Sequence, residues 1–296
     1  MRRLPREPLL AALAAIVSMA TAAPPADPPR SDEPQTVTVT AAPDIDRQVK
    51  DFVGSLAPHT NEQMSLLAAT FCPIVQGLAA SDAAAVEARL RTVASAVGVK
   101  VGDSRCRPNM LLIVTADKRA FIQALATRKP DYLGNLDPAP LRALLRSPGY
   151  AAAWQIGGTV ADSGQVLTDV SNDIPIRTTT SASRIGEPVR PVFDVAVVVV
   201  EARGLAGLTR NQLADYAAMR LLSGADPKRA EAASAPTVLK VLDAPANAVV
   251  PAGLTAWDVG FLRGLYSARS FVNGPAQRSD IKRAVRAGVG QARDGQ

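Results

Sequence analysis

Histidine, cysteine and aromatic side chains are scarce here: 296 residues contain 1 His, 2 Cys, 2 Trp, 4 Tyr and 6 Phe. One histidine excludes a His-rich metal site and two cysteines exclude a four-thiolate one, so neither a metal nor a cofactor is expected. With aromatics at 4%, few rings are available for stacking bases or sugars. A Gly-x-Ser-x-Gly elbow and a glycine-rich phosphate loop are both missing. The single histidine, His59, follows Pro58 in a polar turn, the setting of a solvated side chain rather than a catalytic base. No block of like charge resembles a nucleic-acid arm, so no nucleic acid partner is expected. Beyond the first segment no stretch is long and apolar enough to span a bilayer; residues 195–200 are flanked by Asp194 and Glu201.

What is present begins with a targeting pattern. Arg2, Arg3 and Arg6 precede an apolar run over residues 9–20, and Ala20-Thr21-Ala22 supplies the small residues of a signal-peptidase site. Cleavage between Ala22 and Ala23 is expected, with Ser18-Met19-Ala20 as an alternative cut. An uncleaved anchor is the competing reading, but the run falls short of the roughly 20 residues a membrane span needs. Loss of residues 1–22 removes three arginines and Glu7, lowering the formal charge from +6 to +4. The expectation is a periplasmic or secreted chain with a Pro-rich spacer over residues 23–35.

In such a compartment the two cysteines form a disulfide by default, Cys72 to Cys106, enclosing 33 residues. At 47% apolar and 20% charged, the remainder has ample material for a core. Residues 36–40 alternate Thr and Val as a strand, and Asp44 caps a helix reaching Leu56. A strand over 71–75, placed at a sheet edge by Pro73, leads to an Ala-rich helix capped by Ser81 or Asp82 and ended by Gly98. Residues 110–115 form the next strand, and Asp117 starts the helix after it. A short helix over 138–146 closes an N-terminal half, residues 36–150, of βαβα type.

The second half, residues 151–296, belongs to the same domain or packs closely on the first. Strands over 152–156 and 165–168 flank a hairpin turn at Ala161-Asp162-Ser163-Gly164. Further strands cover 177–183 and 192–201, the latter so apolar that it reads as central and covered on both faces. Helices are expected over 209–222, 255–266 and 276–289, with a polar break at 226–236 and an apolar stretch at 237–242. The fold class is α+β, with a mixed/antiparallel sheet and several packed helices.

Three carboxylates are weak catalytic candidates: Glu201 at the end of the central strand, Asp215 on the next helix and Asp258 on a later one. Two of them at the right separation would suit glycoside hydrolysis. Each also has a structural role available. Asp258 sits in the first turn of its helix, where negative charge is favoured, and Asp215 has Arg210 and Arg220 within helical reach. The segment Asp169-Val170-Ser171-Asn172-Asp173 lacks the Gly and terminal Glu of a calcium loop. Trp257 and Phe261, four residues apart, share a helix face that is either core or an interaction surface, with Tyr266 further along.

The order of strand 192–201, Gln212-Leu213-Ala214-Asp215-Tyr216, Ser234-Ala235-Pro236-Thr237-Val238-Leu239, Leu254-Thr255-Ala256-Trp257-Asp258 and Leu265-Tyr266 resembles the end of zincin-like domains in exported bacterial proteins. Those domains carry His-Glu on the helix where this chain has Leu213 and Ala214, so the resemblance implies a pseudo-enzyme without the metal-binding residues. The whole chain also resembles uncharacterised exported bacterial proteins that share its Cys-Arg-Pro-Asn and Leu-Ala-Asp-Tyr segments. Two readings of function follow. The first is a non-catalytic envelope protein that binds another envelope protein or a small ligand. The second is a carboxylate-dependent hydrolase using Glu201, Asp215 and Asp258.

Overall fold

A computed structural model describes residues 44–57, 62–134, 136–164, 166–167, 187–245 and 247–294. The signal and its cut at Ala22 and Ala23, the spacer, His59, the strands expected over 36–40 and 177–183 and the 169–173 segment lie outside the described residues.

The chain runs α1 (Ile45–Leu56), β1 (Leu66–Leu67), β2 (Pro73–Gln76), α2 (Ala80–Ala96), β3 (Met110–Thr115) and α3 (Lys118–Arg128), then α4 (Pro138–Leu145), β4 (Ala151–Ala161), β5 (Val166–Leu167) and β6 (Val189–Glu201). Helices α5 (Arg210–Ser223), α6 (Pro227–Glu231), α7 (Ala256–Ser267) and α8 (Gly274–Asp294) complete it. One sheet takes strands from both halves of the sequence, in the order β2-β3-β6-β4-β5. β6 lies between β3 and β4, and β1 pairs with its first residues, Leu66 opposite Val192.

The α+β reading holds, but the sheet expected as mixed/antiparallel is parallel at its centre. β2 with β3, β3 with β6, and β1 with β6 are all parallel pairs. The antiparallel pairs are confined to β4, which runs against β6 and turns back into β5. The reason is covering: residues 195–200 of β6 are all Val or Ala, and helices bury them on both sides. Ala196, Val198 and Val200 enter one cluster, Val197 and Val199 the other. Met110 and Leu112 of β3 alternate in the same way with Leu111 and Ile113.

Helices α2 and α5 lie on the first face, with α1, α7 and α8 packed beyond them. α3, α4 and a short 3₁₀ turn at Pro130–Leu133 cover the second, where the Trp154 indole N–H donates to the Tyr132 carbonyl at 2.8 Å. α5 is buried nearly all round, because it is sandwiched between the sheet and α7. Gly260 and Gly264 let α7 approach α8: a Cβ at either position would stand 2.7 Å from an α8 backbone carbon.

Local signals fall where the sequence puts them. The Asp44 and Asp117 carboxylates accept amide hydrogens at the starts of α1 and α3. β2 occupies a sheet edge, as Pro73 demands. Cys72 and Cys106 are bonded, with Cα atoms 6.0 Å apart. Two expectations need correction. α2 has no side-chain cap, since Ala79 holds that position and Ser81 and Asp82 are already helical. The polar break contains α6, begun by Asp226 and Pro227. The apolar stretch at 237–242 contains a 3₁₀ turn at Val238–Lys240. No described helix is long and apolar enough to cross a membrane.

Candidate functional site

Asp215 is on the second turn of α5, with its side chain at 0% exposure. Neither Arg210 nor Arg220 pairs with it. Arg89 of α2 forks onto it instead, Nε to Oδ1 at 2.7 Å and NH2 to Oδ2 at 2.9 Å. The Leu254 amide donates to the same Oδ2 at 2.8 Å. Arg210 turns outward to Asp82, and Arg220 reaches the Tyr216 hydroxyl at 3.2 Å. The reason is direction: buried inside the sandwich, Asp215 points at α2, while its helical neighbours point elsewhere.

Asp258 is likewise at 0% exposure. Its carboxylate accepts from the Thr237 hydroxyl at 2.6 Å and from the Val238 and Thr255 amides at 3.0 Å each. Thr255 accepts in return from the Asp258 amide, closing a capping box at the start of α7. Burial pushes the Asp258 carboxyl above the usual carboxylate range, and the donors around it pull the other way.

Glu201 stands apart from both, at the carboxyl end of β6. It is 5% exposed and accepts from Arg203 Nε at 2.7 Å, while Arg203 lies over the Tyr150 ring. The Lys118 amide approaches its other oxygen at 3.4 Å. The Lys118 ammonium points into the backbone of the α4–β4 connection, donating to the carbonyls of Ser147 at 2.9 Å and of Gly149. Burial lowers its pKa below the usual lysine value, against the pull of Glu201 and Asp243. The structure therefore brings Asp215 and Asp258 to one loop and leaves Glu201 at the carboxyl end of the central strand.

Trp257 and Phe261 are not a surface. They are 6% and 0% exposed, and both rings stand edge-on to Phe52 of α1, at 5.4 and 6.1 Å between centroids. Packing α1 over the start of α7 consumes this face, as it does most apolar helix stripes. Tyr266 also turns inward, its hydroxyl donating to the Leu222 carbonyl at 2.8 Å.

Two hollows remain. One, of 730 Å³, lies beside the disulfide and is lined by Arg107, Asn109, Asp131, Tyr132 and Asp194. The other, of 640 Å³, runs between α1, α6 and α8 and carries Lys50, Lys228, Arg229, Arg278 and Lys282 against one acid, Asp51. Sequence reasoning missed these cations. Two signals were readable, the Lys228-Arg229 dipeptide and the i, i+4 spacing of Arg278 and Lys282, but neither reveals a common groove. Among the described residues no cluster of three or more His, Cys, Asp or Glu could hold a metal ion. Comparison with protein-family models, with curated proteins and with solved structures finds no match for this chain.

Proposed function

We propose that this chain is an exported, non-catalytic binding module of the envelope, a pseudo-enzyme-like scaffold that acts by holding a partner or ligand. The observation that supports it is the use made of Asp215 and Asp258. General acid–base work needs a carboxyl group that reaches substrate and exchanges protons with it. Both groups are fully enclosed and spend their oxygens on Arg89, Leu254, Thr237, Val238 and Thr255. Glu201 accepts from Arg203 at the carboxyl end of β6. The disulfide accords with an oxidising compartment outside the cytoplasm.

The test is cross-linking in cells. The chain carries a tag after Gln296, is recovered without reductant and is analysed by mass spectrometry. One partner recovered near stoichiometrically is the expected result. Recovery of the chain alone, beside an efficiently cross-linked control, overturns the binding reading. It would turn attention to hydrolysis at Glu201, Asp215 and Asp258.

A further inference from the structure

The groove between α1, α6 and α8 gathers positive charge from three helices that are remote in sequence. Lys50 comes from α1, Lys228 and Arg229 from α6, and Arg278 and Lys282 from one face of α8. Gathering like charges opposes folding unless counter-charge is supplied; Arg278 has a partner of its own, and Lys50, Lys228 and Lys282 carry the remaining charge with Arg229. Asp51 is the one acid among the groove's lining residues. Two acids on the same helices are paired with other arginines, Asp46 with Arg286 and Asp280 with Arg269 and Arg283.

The groove is also set in place before any ligand arrives. The Arg229 guanidinium donates to the carbonyls of Gly54, at 3.3 Å, and of Ala57. Those carbonyls belong to the end of α1, whose partial negative charge would otherwise repel an anion. Arg229 thus neutralises that helix end and is held with its orientation fixed, which lowers the entropy lost on binding. Gly54 keeps the floor low, since a Cβ there would meet nothing within 4 Å.

We infer that this groove binds a soluble ligand bearing two or more phosphate groups. A chain of phosphates offers several anionic groups to cations that come from three helices, where a single carboxylate or phosphate offers one. Guanidinium forks match phosphate oxygens in pairs, and ammonium groups add point charges beside them. A volume of 640 Å³ lies within the roughly 300–1,000 Å³ common for small-ligand sites. Its concavity suits a discrete ligand better than a flat bilayer. The inference rests on the binding-module reading and names the ligand class for it.

The test titrates sodium tripolyphosphate into the purified chain by calorimetry, at low and at near-physiological ionic strength. The comparison is a double variant, Lys50→Glu with Lys282→Glu, against a control with the same charge change elsewhere, Arg105→Glu with Arg119→Glu. We expect saturable one-to-one binding, weakened about tenfold or more in the groove variant and within about twofold of wild type in the control. Absence of binding, or equal losses in both variants, overturns the inference. Vesicles containing phosphatidylglycerol form a second arm. Groove-dependent recruitment that tripolyphosphate does not displace overturns the soluble ligand in favour of a membrane. Cross-linking of wild type and groove variant separates the two readings. A partner captured equally by both, without tripolyphosphate binding, removes the groove and leaves the binding module. Tripolyphosphate binding lost only in the groove variant upholds both, whether or not a protein is captured.

Discussion

Asp215 and Asp258 accept hydrogen bonds from consecutive backbone amides, those of Leu254 and Thr255. One peptide step is therefore gripped by a carboxylate from α5 on one side and a carboxylate from α7 on the other. The step sets where α7 begins, and α7 in turn carries the Trp257 and Phe261 rings onto α1.

Removing Arg89 isolates Asp215 inside the protein. Breaking a buried ion pair from one side costs about 3–5 kcal/mol, and Arg89, at 37% side-chain exposure, places the cost at the lower end. Arg89→Ala should lose about 3 kcal/mol of unfolding free energy in a urea titration. Arg89→Met combined with Asp215→Leu should recover much of that loss, because no unpaired charge is left. A double variant no better than Arg89→Ala would show that the charges are needed for more than each other.

Thr237 donates the shortest of the bonds to Asp258, at 2.6 Å, and its hydroxyl also accepts from the Leu239 amide. Thr237→Val keeps the shape and removes both. A hydrogen bond to a charged group contributes about 1.5–3 kcal/mol, so the urea midpoint should fall accordingly. Ser at the same position should restore most of it.

The Cys72–Cys106 bridge joins residues 34 positions apart and ties the start of β2 to the segment entering β3. Replacing both cysteines with serine should cost about 3–4 kcal/mol through the freed chain entropy of the unfolded state. Thermal melts of wild type with and without reductant should bracket the variant. Gly102→Ala should also lower the melting temperature, because its Cβ would stand 2.6 Å from the Cys106 sulfur and 2.7 Å from that of Cys72.

Acid stability should depend on Asp280. Burial pushes its carboxyl up, but the Arg269 side chain and amide, with Arg283, more than offset this and hold it below the usual range. A carboxyl lowered in the folded state stabilises it above the unfolded pKa of about 3.9, and that contribution is lost as pH falls through the folded value. Melting temperatures of Asp280→Asn should therefore lie below wild type near neutrality and converge with it below about pH 4. A constant gap at every pH would contradict the assignment.

Much of the fold was readable along the chain because its causes are local. Asp44, Asp117 and Thr255 cap the helices that follow them, and the bounds of β3 coincide with an apolar run between polar flanks. The capping-box role of Asp258 needs only Thr255, three residues earlier. What sequence reasoning missed acts across distance. Arg89 and Asp215 are 126 residues apart, so no helical spacing points from one to the other. Trp257 and Phe261 form an apolar pair on any reading; whether that face is core or surface depends on α1 lying over it.

The sequence by itself determined which segments become helices and strands, that β6 must be covered on both faces, and that two cysteines were available to bridge. These follow from periodicity, capping and composition, which act within a few residues. Tertiary structure alone decided that β3 runs parallel to β6, that Asp215 answers to α2, and that five cations meet in one groove. Those outcomes depend on which elements are packed side by side, and packing is a property of the whole chain.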